Sequence, residues 1–206
     1  MNTKRSLIRR GAAVVTAGAA LAVLAACGSD GGSPAGHDGH GSSTSSASAS
    51  QGRHNAADVA FAQGMVPHHR QAVEMAGLAP GRAHSAEVKK LAEDIKKAQD
   101  PEIRTLSGWL TSWGETVPSE GAMDHSTHDM GSMMTSDDME KLEKASGTAF
   151  DTAFTEMMIE HHEGAVEMAR TEQADGSYAP AKKMAGRIIT SQTAEIARMK
   201  ELLGED

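Results

Sequence analysis

The sequence predicts an all-α fold, a four-helix bundle built from two duplicated helical hairpins. Residues 61–110 and 154–203 align without gaps at a constant offset of 93 residues, with 18 identities in 50. Apolar residues recur at helical spacing in both copies, whereas the apolar–polar alternation of strands is missing and aromatic residues make up only 3% of the chain. Each copy therefore predicts two helices, and the two copies together give four.

Three segments of different composition divide the chain. Residues 1–26 join a basic start to an apolar stretch too short to span a membrane, which predicts a lipoprotein signal peptide ending before Cys27. Residues 27–54 are rich in Gly and Ser, which predicts a flexible tether. Residues 55–206 suit one globular domain, with repeat 1 at about 55–113, a Met/His-rich linker at 114–136 and repeat 2 at about 137–206.

These segments predict an exported protein held at the outer face of the cytoplasmic membrane by a lipid on Cys27, the only cysteine. Loss of the four basic residues of the signal peptide lowers Lys+Arg from 20 to 16 against 28 Asp+Glu, so the net charge changes from −8 to −12. A surface of this sign attracts cations and disfavours nucleic acid as a partner. The membrane is then a partner only through the lipid anchor.

Local signals place several element ends. Asn55, with Asp58 three residues later, predicts a cap for the first helix. Turns that contain Gly or Pro are expected at residues 77–82 and 175–180. These turns would close the two hairpins.

The linker and the prolines give further expectations. A short helix is predicted over residues 137–145, with Ser136 as its cap and an end near Gly147. Pro67 and Pro101 lie inside predicted helices, at positions where the second copy has Glu160 and Ala194. Because the second copy is helical in pattern there, we expect kinks in the first copy and not breaks.

The most informative feature is a Met-x-x-His-His motif that occurs once in each copy. The motif residues are Met65, His68, His69, Met158, His161 and His162. On a helix, a methionine is one turn away from histidines three and four positions later, so the side chains can share an ion. Periodicity places all six on the apolar stripe, with glutamates opposite. The alternative is a metal-free core in which Met fills gaps and His is satisfied by hydrogen bonds.

The second helix of each hairpin carries polar residues on its inward face. These are Gln99, Glu102, Gln192 and Glu195, in matching positions of the two copies. A buried carboxylate needs a partner, and the nearest candidates are the motif histidines across the bundle. Glutamate can accept from an imidazole whose other nitrogen binds metal, so these residues are candidate supports behind the metal ligands.

Further Met and His residues are candidate outer ligands. Met75 and Met168 lie at the edge of the inward stripe. The linker adds a dense group of Met and His residues whose spacing is not that of residues packed in a core. These are Met123, His125, His128, Met130, Met133 and Met134. Such a loop could capture an ion and pass it inward, although a linker without metal chemistry is the other interpretation.

The donor set favours copper. Thioether sulfur is a good ligand for Cu(I) and a poor one for Mg, Ca or Mn, and imidazole suits Cu(I) and Cu(II). Di-iron carboxylate bundles use Glu-x-x-His where this chain has Met-x-x-His, so sulfur replaces the oxygen that would hold iron. Iron is therefore disfavoured, although the scaffold matches that of such proteins.

The pattern Asp-x-x-Phe…Met-x-x-His-His-x-x-Ala-Val-x-Met-Ala occurs at residues 58–76 and 151–169. It resembles the family catalogued as domain of unknown function 305, and the later Gln-x-x-Glu-Ile of each copy fits the same family. The resemblance covers about residues 55–204. It implies a ferritin-like four-helix bundle in an exported protein, with some members tied to copper binding, and it points to the six motif residues.

We therefore expect an exported protein that sequesters copper or hands it to a copper-handling partner. No nucleophile and base are arranged for a reaction, so an enzyme is not predicted. The alternatives are a metal-dependent oxidase on the same bundle and a metal-free interaction module.

Overall fold

A computed structural model of the chain describes residues 52–119 and 132–204. Over these residues it contains five helices and no strand: α1 (Ala56–Arg82), α2 (Ala86–Trp113), α3 (Ser136–Lys144), α4 (Thr148–Asp175) and α5 (Ala179–Leu203). None of these helices is both long and apolar enough to cross a bilayer. The all-α prediction is confirmed.

Several predictions fall outside the described residues. They concern the signal peptide, the lipid site Cys27, the tether up to residue 51, and four candidate outer ligands in the linker, which are Met123, His125, His128 and Met130. Their assignments remain predictions from the sequence.

The first helix begins where the sequence predicts and ends later. The Asn55 side chain accepts from the backbone N–H of Ala57 and Asp58, and Asp58 accepts in return from Asn55 N–H at 2.6 Å. The predicted turn at residues 77–82 is wrong, because α1 continues through this segment and the turn occupies residues 83–85. Ala79 is fully buried, so tertiary packing outweighs the weak helix propensity of the Gly and Pro around it.

The remaining element ends need smaller corrections. In the second hairpin the turn is confined to residues 176–178, within the predicted range. The cap of α3 is Thr135 and not Ser136, which is the first helical residue; Thr135 and Asp138 form a capping box. Helices α1 and α2 run unbroken through Pro67, Pro80 and Pro101.

The two hairpins are joined by a reciprocal contact that follows the duplication. Asp151 of α4 accepts from the backbone N–H of His84 and Ser85 in the α1–α2 turn. Asp58 of α1, 93 positions earlier, accepts from the backbone N–H of Ser177 and Tyr178 in the α4–α5 turn. Each half therefore holds the turn of the other.

The interior consists of two apolar clusters that together involve all four long helices. One cluster contains Phe150, Phe154, Leu91, Ile95 and Met199, and the other contains Phe61, Leu106, Leu110, Met184 and Ile188. Residues from the start of α1 pack with residues from the later part of α4, and the reverse holds in the other cluster, so α1 and α4 run antiparallel. The middle of this α1–α4 contact is therefore the midplane of the bundle.

One buried pair departs from the duplication. Glu172 of α4 is 1% exposed and lies beside Asp58, whereas the equivalent residue of the first copy is Ala79. Burial, together with the neighbouring Asp58, raises the pKa of Glu172 to about 8. Burial acts against ionisation of Asp58 as well, but hydrogen bonds from the backbone of Asn55, Tyr178 and Ser177 lower the pKa of that carboxyl below its ordinary value. These shifts favour a protonated Glu172 beside an ionised Asp58 at neutral pH.

This pair predicts a pH-dependent stability. The pKa of Glu172 is about 8 in the folded chain, whereas about 4.3 is expected in the unfolded chain. Between these two pH values the folded state binds more protons than the unfolded state. The contribution of Glu172 to the free energy of unfolding should be greatest below about pH 4.3 and should fall as the pH rises towards 8. Glu172→Gln, which cannot ionise, should remove most of this slope in urea unfolding measured at pH 5, 7 and 9.

Glu167→Gln is the matched control, because Glu167 lies on the exposed face of the same helix. It should leave the slope intact. An unchanged slope in Glu172→Gln would show that the buried pair does not hold a proton.

Candidate metal centre

Four imidazoles occupy the midplane between α1 and α4. His68 and His69 from α1 and His161 and His162 from α4 are each at most 1% exposed. The rings of His68 and His161 meet across the two helices with centroids 3.7 Å apart, and those of His161 and His162 are 6.4 Å apart. Because the duplicated motifs lie on antiparallel helices, the fold brings equivalent histidines together at one level of the bundle.

Most of the nitrogens of these rings have no hydrogen-bond partner within residues 52–119 and 132–204. Over these residues, Nδ1 of all four histidines and Nε2 of His161 are buried and unpartnered. Buried polar atoms are hydrogen-bonded in the great majority of cases, so five such atoms in one layer require an explanation. These five nitrogens either bind internal water or are available to a ligand.

Two of the histidines are hydrogen-bonded to glutamates through Nε2. His69 Nε2 lies 2.9 Å from Glu102 of α2, and His162 Nε2 lies 2.7 Å from Glu195 of α5. Each glutamate belongs to the second helix of the same hairpin and is about one-fifth exposed. A carboxylate that accepts from Nε2–H fixes the tautomer in which Nδ1 carries the lone pair. The unpartnered Nδ1 atoms of these rings then carry the lone pairs that can bind a metal ion.

His68 and His161 are kept neutral by their surroundings. Burial lowers the pKa of His68 well below its usual value, and the neighbouring His161, His69 and His162 lower it further. Burial likewise lowers the pKa of His161, with contributions from His162 and His69. Neutral imidazole is the form that binds a metal ion, so these rings need not lose a proton first.

The motif methionines are buried beside this layer. Met65 and Met158 are both fully buried, each one helical turn before its histidines. Met65 belongs to the apolar cluster at one side of the layer and Met158 to the cluster at the other side. Among the residues in 52–119 and 132–204, no three His, Cys, Asp or Glu side chains are close enough together to hold an ion by themselves. Methionine sulfurs are not included among these donors.

The other sequence-predicted residues have different positions. Gln99 and Gln192 are buried, each with an unpartnered Oε1. Met75 and Met134 are buried within an apolar cluster, so packing accounts for them. Met168 is half-buried beside Gly64, and Met133 is half-buried.

The strap, which we define as residues 132–134, contacts the layer. The sequence analysis named Met133 and Met134 as candidate ligands but missed Ser132 and Gln71. Ser132 Oγ lies 3.3 Å from His68 Nε2. Gln71 donates to the backbone oxygen of Met134 and accepts from its N–H, both at 2.8 Å. A signal was present in the alignment, because Gln71 is matched by Gly164 within otherwise similar helices.

Solved structures of similar proteins share this fold. A DUF305 protein from Streptomyces coelicolor is 34% identical, with a TM-score of 0.66 over 72% of this chain and 93% of that chain. CopM in its Cu(II)-bound form is 36% identical, with a TM-score of 0.61 over 70% of this chain and 94% of that chain. No curated protein matches the chain.

CopM has also been solved with other ions. Its Cu(I)-bound form is 34% identical to this chain with a TM-score of 0.58, over 70% of this chain and 94% of that chain. Its Ag-bound form, obtained by soaking, is 33% identical with a TM-score of 0.59, over 70% and 93%. These ions are bound by CopM, and the likeness is one of fold and sequence.

The family model described as domain of unknown function (DUF305) matches residues 58–203, which span both Met-x-x-His-His motifs and all four long helices. The chain therefore belongs to the DUF305 family.

Proposed function

We propose that this protein binds copper outside the cytoplasm and sequesters it or passes it on. The observation that carries the proposal is the layer of four neutral or glutamate-held imidazoles with five unpartnered nitrogens, flanked by two buried thioethers. An ion between α1 and α4 would satisfy nitrogen atoms that the protein leaves without partners. Copper is the cargo in this proposal and no reaction is assigned.

The chemistry of the donors selects a soft ion. Thioether sulfur and neutral imidazole together suit Cu(I), whereas hard divalent ions prefer carboxylate and carbonyl oxygen. Methionine also supplies sulfur without a proton to lose and without the easy oxidation of a thiolate outside the cell. The copper- and silver-bound forms of CopM support the same choice by similarity.

Six residues are proposed as ligands: Met65, His68, His69, Met158, His161 and His162. Glu102 and Glu195 are proposed to hold the second imidazole of each motif so that Nδ1 faces the ion. The half-buried Met133 and Met168 remain candidate outer ligands. A lipid on Cys27 is proposed to keep the protein at the outer face of the membrane.

Replacement of all four histidines by alanine should abolish tight Cu(I) binding, because it removes every nitrogen donor of the layer. Binding is measured by competition against a chromogenic Cu(I) chelator, with circular dichroism to check that the variant stays helical. His161→Gln, a milder change, should weaken binding while preserving the fold. His84→Ala is the control, since His84 is exposed and bonds only through its backbone. Equal binding by the quadruple variant and the unchanged chain would reject the assignment.

Met65→Leu combined with Met158→Leu should lower Cu(I) affinity by at least about tenfold, which corresponds to roughly 1.4 kcal/mol. Exchange of Met for Leu conserves volume and costs less than about 1.5 kcal/mol of stability, so the fold should survive. Met184→Leu with Met199→Leu is the matched control, because both residues are buried in the same two clusters and lie outside the motifs. If the two double variants bind Cu(I) alike, the motif methionines are packing residues.

Glu102→Gln combined with Glu195→Gln should lower the affinity by about 10–100-fold, the usual effect of losing the group behind a metal-binding histidine. The same chelator competition measures it. Glu74→Gln with Glu167→Gln is the control, because these glutamates also occupy matching positions of the two copies but lie on exposed faces. An affinity equal to that of the control pair would show that the two contacts do not orient the imidazoles.

A further inference from the structure

The two halves of the histidine layer differ in one respect. His68 has Ser132 at its Nε2, whereas both nitrogens of its counterpart His161 are unpartnered among the residues that the structure describes. Ser132 belongs to the linker between the two copies and has no duplicated equivalent. The asymmetry therefore comes from the linker and not from the Met-x-x-His-His motifs, which both copies share.

The strap is attached to the bundle beside the layer. Gln71, which is 2% exposed, exchanges two hydrogen bonds with the backbone of Met134 and thereby pairs that peptide as a neighbouring strand would. The Met134 side chain is 8% exposed and packs in an apolar cluster. Three separate contacts thus fix a segment of three residues.

The helix opposite is shaped to receive the strap. A Cβ atom at Gly164 would overlap the Ser132 side chain and would lie 3.4 Å from His68 Nε2. Real Cβ atoms do not approach a neighbour that closely, so any residue other than glycine would displace Ser132. Gln71 and Gly164 occupy matching positions of the duplication, which means that one copy supplies the anchor and the other supplies the space.

From these contacts we propose that Gln71 and Gly164 are positioning residues for the strap, and that the strap fixes His68 and slows the exchange of an ion between α1 and α4. The inference rests on the proposed copper site. In this proposal His68 Nε2–H donates to the Ser132 hydroxyl, so that Nδ1 carries the lone pair for the ion. Neither ring nitrogen of His161 has a hydrogen-bond partner among the described residues, so in this proposal His161 is the ligand that moves when an ion enters or leaves.

Three variants of the full-length protein test the strap without altering a proposed ligand. Ser132→Ala removes only the hydroxyl, Gln71→Leu removes both bonds to Met134, and Gly164→Ala displaces Ser132. Each should speed transfer of Cu(I) to a chelator by about fivefold or more, the factor expected when one net hydrogen bond is lost. Ser132→Thr, which keeps the hydroxyl, should restore the slow rate. Gly77→Ala is the control, because a Cβ there meets no neighbour.

A second measurement needs no metal. Imidazole ¹⁵N NMR should show a single tautomer for His68 in the unchanged chain and in Ser132→Thr. Ser132→Ala and Gly164→Ala should give averaged His68 signals while those of His69, which is held by Glu102, stay fixed. A merely structural role for the strap would shift no tautomer.

The two measurements separate the proposals. If the unchanged chain binds Cu(I) and all strap variants release it at the original rate, the strap inference is overturned and the proposed function stands. If the unchanged chain binds no Cu(I), the proposed function fails and takes with it the effect on ion exchange. An averaged His68 signal in the unchanged chain would overturn the claim that Ser132 fixes this ring.

Discussion

The crossing of α1 and α4 at four buried imidazoles is the constraint on which the rest of the structure depends. Placing polar rings in a dry interior is costly unless each ring finds a partner. Two glutamates and one serine lie at hydrogen-bonding distance from three of the Nε2 atoms, and the remaining nitrogens have no partner among the described residues. Apolar side chains would fill this midplane without leaving buried polar atoms unpartnered. The proposed ion between α1 and α4 would supply the missing partners.

Duplication explains how so many donors reach one level of the bundle. A single Met-x-x-His-His motif on a helix offers few ligands, but two copies on antiparallel helices meet when their midpoints coincide. The reciprocal hydrogen bonds of Asp58 and Asp151 fix that register, since each carboxylate binds the turn of the other hairpin. Contacts at the ends of the helices therefore hold the middle in place.

The departures from duplication are as informative as the matches. Glu172, which replaces Ala79, adds a buried carboxyl at one end of the bundle only. Gln71 binds the backbone of the strap, and Gly164, at the matching position of the second copy, leaves space for Ser132. The linker therefore packs against one side of the histidine layer. The two equivalent halves therefore differ at one end of the bundle and at one side of the histidine layer.

Periodicity in the sequence was sufficient to predict the all-α bundle, the inward position of the histidines and the partners of Glu102 and Glu195. These features depend on spacing within one helix or on a pattern that occurs twice. The end of α1 could not be predicted, because Gly77 and Pro80 signal a turn and only tertiary burial of Ala79 overrides them. The contact between Ser132 and His68 joins residues 64 positions apart. The mismatch of Gln71 and Gly164 in the alignment marks an asymmetry there, but it does not identify Ser132 as the partner.

The location of bound copper tests the central claim most directly. Anomalous diffraction from crystals of the chain loaded with less than one equivalent of Cu(I) would locate the ion. We predict that the strongest peak lies between α1 and α4, within bonding distance of a motif methionine sulfur and of His68 or His161. Ordered copper found only elsewhere, with the midplane imidazoles hydrogen-bonded to water, would contradict the account.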